Sequence, residues 1–194
     1  LNGRLTTDLG LFYIDWRNQQ ITNTIPAVGN IIRNAGRSRN KGVEISLQAR
    51  PVNSLVVHMN YGYTDARFVH YKKEERGTLK DYGGNYLPMV PCHTFSLTAG
   101  YTFYNICSWI DRLTLNGGVS ATGPIYWYED NQAKQNLYAL VNLKIGASKG
   151  NFTWEVWSKN LTNTDYLSYY FVTSKAYAQK GKPITLGTSV SVRL

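Results

Sequence analysis

The sequence predicts an all-β fold of about eight long antiparallel strands, of the kind that forms a transmembrane barrel. Three observations point there. Apolar and polar residues alternate with period two through segment after segment, which is the signature of a two-faced strand. Most of these segments reach the roughly 9–11 residues that a tilted strand needs to cross a bilayer, beyond the roughly 5–6 usual in soluble sheets. The polar rows are built from Thr, Ser, Asn and Gly, not from the Lys and Glu of a solvated face, and short uncharged groups suit a crowded lumen. Composition agrees: 15 Tyr, 17 Gly and 13% aromatic residues favour strands over helices.

The first strand, 4–24, carries Leu5, Leu9, Leu11 and Tyr13 on one face. Phe12 and Ile14 fall on the other, so a bulge or a change of environment is expected near one end. The second, 31–50, sets Val43, Ile45, Leu47 and Ala49 against Glu44, Ser46, Gln48 and Arg50, and Pro51 closes it. In the third, 54–69, Leu55, Val57, Met59, Tyr61 and Tyr63 oppose His58, Asn60, Gly62 and Thr64. The fourth, 92–104, opposes Phe95, Leu97, Ala99, Tyr101 and Phe103 to Thr94, Ser96, Thr98, Gly100 and Thr102. The fifth, 112–128, opposes Leu113, Leu115, Val119 and Ala121 to Thr114, Asn116, Gly118 and Ser120. The sixth, 136–149, opposes Ala139, Val141, Leu143 and Ile145 to Asn142, Lys144, Gly146 and Ser148. The seventh, 152–171, starts with Phe152, Trp154 and Val156 against Thr153 and Glu155, until Trp157 breaks the pattern. The eighth, 183–194, opposes Ile184, Leu186, Val190 and Val192 to Thr185, Gly187, Ser189, Ser191 and Arg193.

The connections alternate in length. Short turns are expected at Pro51–Ser54, Asn105–Asp111 and Lys149–Asn151, and longer links at 25–30, 70–91, 129–135 and 172–182. Successive antiparallel hairpins produce that rhythm, with tight turns at one end of the sheet and loops at the other. Aromatic groups near strand ends are candidates for interfacial girdles: Tyr13 and Trp16, Tyr101 and Phe103, Tyr126 to Tyr128, and Tyr166 to Phe171. No apolar run is long enough for a membrane-spanning helix, which leaves a barrel untouched. The net charge is +9, but the cations are scattered, and nucleic acid is not expected as a partner. The chain starts at Leu1, not Met, and is expected to be a processed product or a piece of something longer.

Several motifs go further. Asn34-Ala35-Gly36, then Gly42-Val43-Glu44 running down to Pro51, then Gly62 to Ala66, resemble the late barrel of TonB-dependent outer-membrane receptors of the siderophore-receptor type. Pro91-Cys92-His93-Thr94, Lys159-Asn160-Leu161-Thr162 with Tyr166, and the ending GTSVSVRL fit in the same order, so the resemblance spans essentially the whole chain. Leu194 departs from it, because the family commonly ends on an aromatic residue. The resemblance implies that 1–194 is the C-terminal segment of a plugged barrel of about 22 strands, its last third, with the plug domain absent. It implies residence in the bacterial outer membrane and energy-coupled uptake of a ferric siderophore or a similar bulky nutrient. It implies as partners the plug and remaining strands, TonB through a region outside this segment, outer-membrane lipid and lipopolysaccharide, and an extracellular ligand. No cofactor, metal or enzymatic activity is expected.

On this reading Glu44, Gln48, Arg50, His58, Asn60, Asn116 and Lys144 face the lumen. The 70–91 loop is the candidate ligand-binding element. Lys72, Lys73, Arg76 and Lys80 are expected to meet an anionic ferric complex or lipopolysaccharide phosphates, and Tyr71, Tyr82 and Tyr86 to stack on a flat ligand, with Tyr169 and Tyr170 as further candidates. Two alternatives stay open: a complete eight-stranded barrel with a structural or adhesion role, and an outer-membrane lipid enzyme in which His58 activates a serine. Cys92 and Cys107 are expected at opposite ends of one strand, hence free.

Overall fold

The computed structural model describes residues 3–25, 29–34, 36–75 and 77–194, and every regular element among them is a strand. In chain order these are β1 (Leu5–Arg17), β2 (Gln20–Ile25), β3 (Gly29–Asn34), β4 (Arg37–Ala49), β5 (Leu55–His70), β6 (Lys72–Glu75), β7 (Thr78–Asp81) and β8 (His93–Cys107). Then come β9 (Ile110–Gly123), β10 (Ile125–Tyr126), β11 (Lys134–Gln135), β12 (Tyr138–Lys149), β13 (Phe152–Lys159), β14 (Leu167–Val172), β15 (Ala176–Lys180) and β16 (Thr185–Val192).

Eight of these form one sheet in the order β1-β4-β5-β8-β9-β12-β13-β16, and its pairings are all antiparallel. The other eight pair two by two as small hairpins at the long-loop end. The expected strand count and alternation of turns and loops therefore hold. The expected boundaries do not. Segments 4–24, 31–50 and 152–171 each divide into a sheet strand and a hairpin strand, because the chain leaves the sheet at residues 18, 36 and 160. Asn18 and Asn160 take positive φ (55° and 49°), which Asn tolerates better than most residues, and Gly36 takes φ 82°. At the other end β8 and β9 run on through the expected turn, to Cys107 and Ile110.

β1 and β16 do not pair, so the sheet is open and the small closed barrel is not favoured. Register separates the two faces. Leu47, Met59, Leu97, Val119 and Val141 lie on one continuous rung. The next rung along is Gln48, His58, Thr98, Gly118 and Asn142. No second layer covers the apolar face: Leu11 is 75% and Leu186 70% exposed. A water-soluble sandwich or lipocalin would bury that face, whereas a lipid-facing barrel wall leaves it bare. Cys92 and Cys107 are free, held about 40–50 Å apart by the intervening strand at about 3.3 Å per residue.

Candidate functional site

The buried apolar cluster sits at the long-loop end, on the polar side of the sheet. Up to Tyr63, β5 keeps its apolar row on the lipid side. Beyond it the phase reverses: Asp65 and Arg67 take the outer positions, and Ala66 and Phe68 the inner ones. Ala66 and Phe68 are 1% and 2% exposed and pack with Tyr71, Tyr82, Leu87 and Val90. The same reversal explains Phe12 and Ile14 of β1, which lie on rungs with Gly42 and Asn40 on the inner face.

Residues 84–92 descend beside β5 as an irregular continuation of β8. Leu87 N–H donates to Ala66 C=O, Phe68 N–H to Asn85 C=O, and Thr64 N–H to Cys92 C=O. The link after β9 locks onto this segment. Asn131 accepts from Tyr86 N–H at 2.7 Å and donates to Tyr86 C=O at 3.0 Å, and Tyr86 stacks on Tyr126 with ring centroids 4.9 Å apart. Arg67 lies 3.8 Å from the Tyr86 ring centroid and donates to Asp65 and to Gly84 C=O. The root of the 71–92 excursion is thus a packed, hydrogen-bonded platform.

The candidate ligand residues divide on this platform. Tyr71 and Tyr82 are buried, their rings 5.8 Å apart, so they supply core and present no open ring face. Burial raises the Tyr82 phenol well above its usual range, and its bond to Glu75 adds to this. Burial also raises the Glu75 carboxyl, but hydrogen bonds from Lys80 and Tyr82 outweigh it and lower its pKa. Lys73 lies 3.5 Å from both Glu75 and Glu129, Lys80 3.0 Å from Glu75, and Lys72 3.9 Å from Asp81. The cationic loop is therefore largely self-neutralised, although such surface pairs contribute only about 0–1 kcal/mol each. Arg76 lies outside the described residues.

A second aromatic surface lies on the β14–β15 hairpin. Tyr169, Phe171 and Tyr177 form a run of rings, Phe171 and Tyr177 being stacked at 5.1 Å, and each is more than a third exposed. Trp127 and Tyr128 brace its base from the neighbouring link, edge-on to Tyr169 and Tyr170. The sequence reading had Tyr169 and Tyr170 but not Phe171 or Tyr177 as ligand candidates. The available signal was a turn-forming Thr173-Ser174-Lys175 between two alternating aromatic runs.

Asn160 of the Lys159-Asn160-Leu161-Thr162 motif has a structural part. It is buried, donates to Thr164 C=O and Lys182 C=O, accepts from Thr164 N–H, and its own N–H bonds Asn142. The nearby Tyr166 stacks on Tyr138 at 4.4 Å.

On the polar face, register brings Glu44, Gln48, His58, Asn60, Asn116 and Lys144 together as expected, and Arg50 follows β4 directly. Glu155 holds Lys144 at 2.9 Å and accepts from Ser189. His58, Thr98, Asn116, Lys144, Glu155 and Trp157 line a shallow groove. His58 faces Gln48 and Thr98 across its rung, while Ser46 and Ser96 are both tied to Asn60.

Comparison with known proteins matches residues 1–173 to the family described as TonB dependent receptor-like, beta-barrel. The ferrichrome outer membrane transporter/phage receptor of Escherichia coli (strain K12) is 32% identical over 145 residues, which is 71% of this chain and 18% of that protein. The ferric yersiniabactin uptake receptor FyuA from Yersinia pestis superposes with a TM-score of 0.81 at 22% identity, over 98% of this chain and 28% of that one. The ferric-catecholate import receptor Fiu of E. coli gives 0.73 at 21% identity, over 99% and 26%. The chain spans less than a third of the length of each of these relatives.

Proposed function

The chain belongs to the TonB-dependent receptor β-barrel family of the bacterial outer membrane, and from that premise we propose that it is the last part of the barrel of a receptor importing a ferric siderophore or a similar bulky nutrient. The observation that carries this reading is the construction of the loop end. A rigid platform holds an exposed aromatic hairpin at the rim, suited to a large ligand with flat or apolar faces. Tyr86, Tyr169, Phe171 and Tyr177 are the proposed contacts, with Lys72, Lys73, Lys80 and Lys175 giving the approach its charge. The inner polar face, with Lys144 and Glu155, is proposed to face the plug. Energy enters through TonB, outside these residues, and none of them is assigned a bond-making role.

The test is iron uptake by the full-length gene product in a strain lacking its other ferric-complex receptors. At least one hydroxamate, catecholate or phenolate complex is expected to enter, and deletion of TonB is expected to abolish entry. Tyr169→Ala with Phe171→Ala is expected to weaken binding of that complex about tenfold, or about 1.4 kcal/mol, within the range for aromatic contacts. Uptake that persists without TonB removes energy coupling. Failure of every ferric complex removes the iron assignment.

Sidedness is tested separately. With Cys92 and Cys107 replaced by serine, Gly77→Cys at the tip of the β6–β7 hairpin is expected to react with an impermeant maleimide on intact cells. Asn53→Cys, in the short turn before β5, is expected to stay unlabelled until the outer membrane is opened. The opposite pattern inverts the topology.

A further inference from the structure

The phase reversal that buries Phe68 on the inner side has a counterpart outside. On the lipid-facing side of β1, β4 and β5 the apolar rows end at Tyr13 and Tyr63. Above them, rungs pair Tyr13 with Lys41, Asp15 with Arg39 and Arg17 with Arg37, and then Lys41 with Asp65 and Arg39 with Arg67. Arg17, Arg37, Arg39, Lys41 and Arg67 thus stand against only two carboxylates. Both carboxylates are occupied. Arg37 grips Asp15 through two bonds of 2.6 Å. Arg67 donates to Asp65 at 2.6 Å, with Lys41 3.5 Å from the same carboxylate.

Arg39 is left over. It makes no ion pair among the described residues, and its guanidinium lies 5.9 Å from the Tyr13 ring. Arg39, Lys41, Asp65 and Arg67 line a depression of about 330 Å³. Arg67 is fixed there in advance by the Tyr86 ring and the Gly84 carbonyl. Lys41 remains 58% exposed at its side chain.

We propose that this depression holds a phosphate of lipid A, the phosphorylated glycolipid of the outer leaflet, with Arg39 and Lys41 as its contacts and Arg67 as the preset wall. Three features favour a lipid phosphate over an anion from solution. The cations sit on the lipid-facing side, the apolar rows of Leu9, Ile45 and Tyr61 continue directly below for acyl chains, and the depression opens at headgroup level. A guanidinium with no internal partner beside a mobile ammonium suits a doubly charged oxyanion. This inference rests on the outer-membrane placement and not on nutrient uptake.

The test uses the purified full-length gene product in detergent, with native mass spectrometry as readout. Bisphosphorylated lipid A is expected to bind, and Arg39→Gln with Lys41→Gln to weaken it at least tenfold. Lipid A stripped of phosphate is expected to bind the unmodified protein as weakly as intact lipid A binds that variant. Inorganic phosphate at equal concentration is expected not to compete. Lys134→Gln with Lys182→Gln, the same charge change elsewhere, is expected to leave binding unchanged. Equal binding by the Arg39/Lys41 variant, equal binding of the stripped lipid, competition by inorganic phosphate, or equal loss in the Lys134/Lys182 control each overturns the proposal. Ferric-complex uptake by the Arg39/Lys41 variant is measured in parallel, so failure of the lipid site and failure of the import reading are told apart.

Discussion

Leu97→Arg is expected to cost about 2–4 kcal/mol of folding stability in a bilayer, and Thr98→Arg, one residue away, almost nothing. The two positions are neighbours on β8 but lie on opposite faces. Leu97 sits mid-rung between Met59 and Val119, where the surrounding solvent is hydrocarbon. An arginine there must either desolvate or drag water into the membrane. Thr98 lies between His58 and Gly118, beside the groove on the polar face, where a guanidinium finds water and room. Val141→Arg on the same outer rung repeats the first result. Asn142 is a poorer inner control, because it accepts the Asn160 backbone N–H and its loss disturbs a turn. The measurement is equilibrium unfolding of the full-length protein in lipid vesicles. Equal tolerance of Leu97→Arg and Thr98→Arg removes the lipid-facing assignment.

Phe68→Ala is expected to destabilise the loop end by about 3–5 kcal/mol, the range for emptying a buried phenylalanine site. Phe68 is 2% exposed and its ring lies 4.7 Å from that of Tyr71. Because this cluster is separate from the barrel wall, the loss falls on a local unit. Hydrogen exchange is the suitable measurement. The amides of Phe68, Tyr82 and Leu87, all bonded within the cluster, are expected to lose about two to three orders of magnitude of protection. The amides of Leu97 and Ala99 in β8 are expected to stay unchanged. If all fall together, the loop end and the sheet are one cooperative unit.

The wall of this fold was readable because each residue there meets one of only two environments, and the strand period assigns them in turn. Leu47 and Gln48 could be placed from sequence alone for that reason. Where the surroundings change, the same rule misleads. Phe12 and Ile14 looked like noise on β1, yet their alternation is intact. What reverses is the environment, since above the bilayer the inner face becomes the dry one. Trp157 likewise keeps its place on the rung of Lys144 and Gly187. An aromatic ring is tolerated on the polar face because Gly187 brings no side chain against it. The loop end was less legible, because its chemistry comes from residues distant in the chain. Lys73 and Lys80 look like a cationic binding surface in isolation. Glu129, more than fifty residues on, helps neutralise it, and no local pattern announces that pairing. Tyr71 and Tyr82 were taken for exposed stacking groups for the same reason, before the descent of 84–92 was known to cover them.

The order of strands in the sheet has a consequence for assembly. Every strand of the wall pairs only with the wall strand before or after it in the chain, and the widest gap between such neighbours runs from His70 to His93. The entropy of closing a loop grows only with the logarithm of its length, so each hairpin costs little more than the last. Contact order stays low despite the all-β composition, and the slow, long-range step usual in β-rich folds is not required within this segment. The wall can lengthen by one hairpin at a time at either growing edge, with each new strand finding its register against a template already in place.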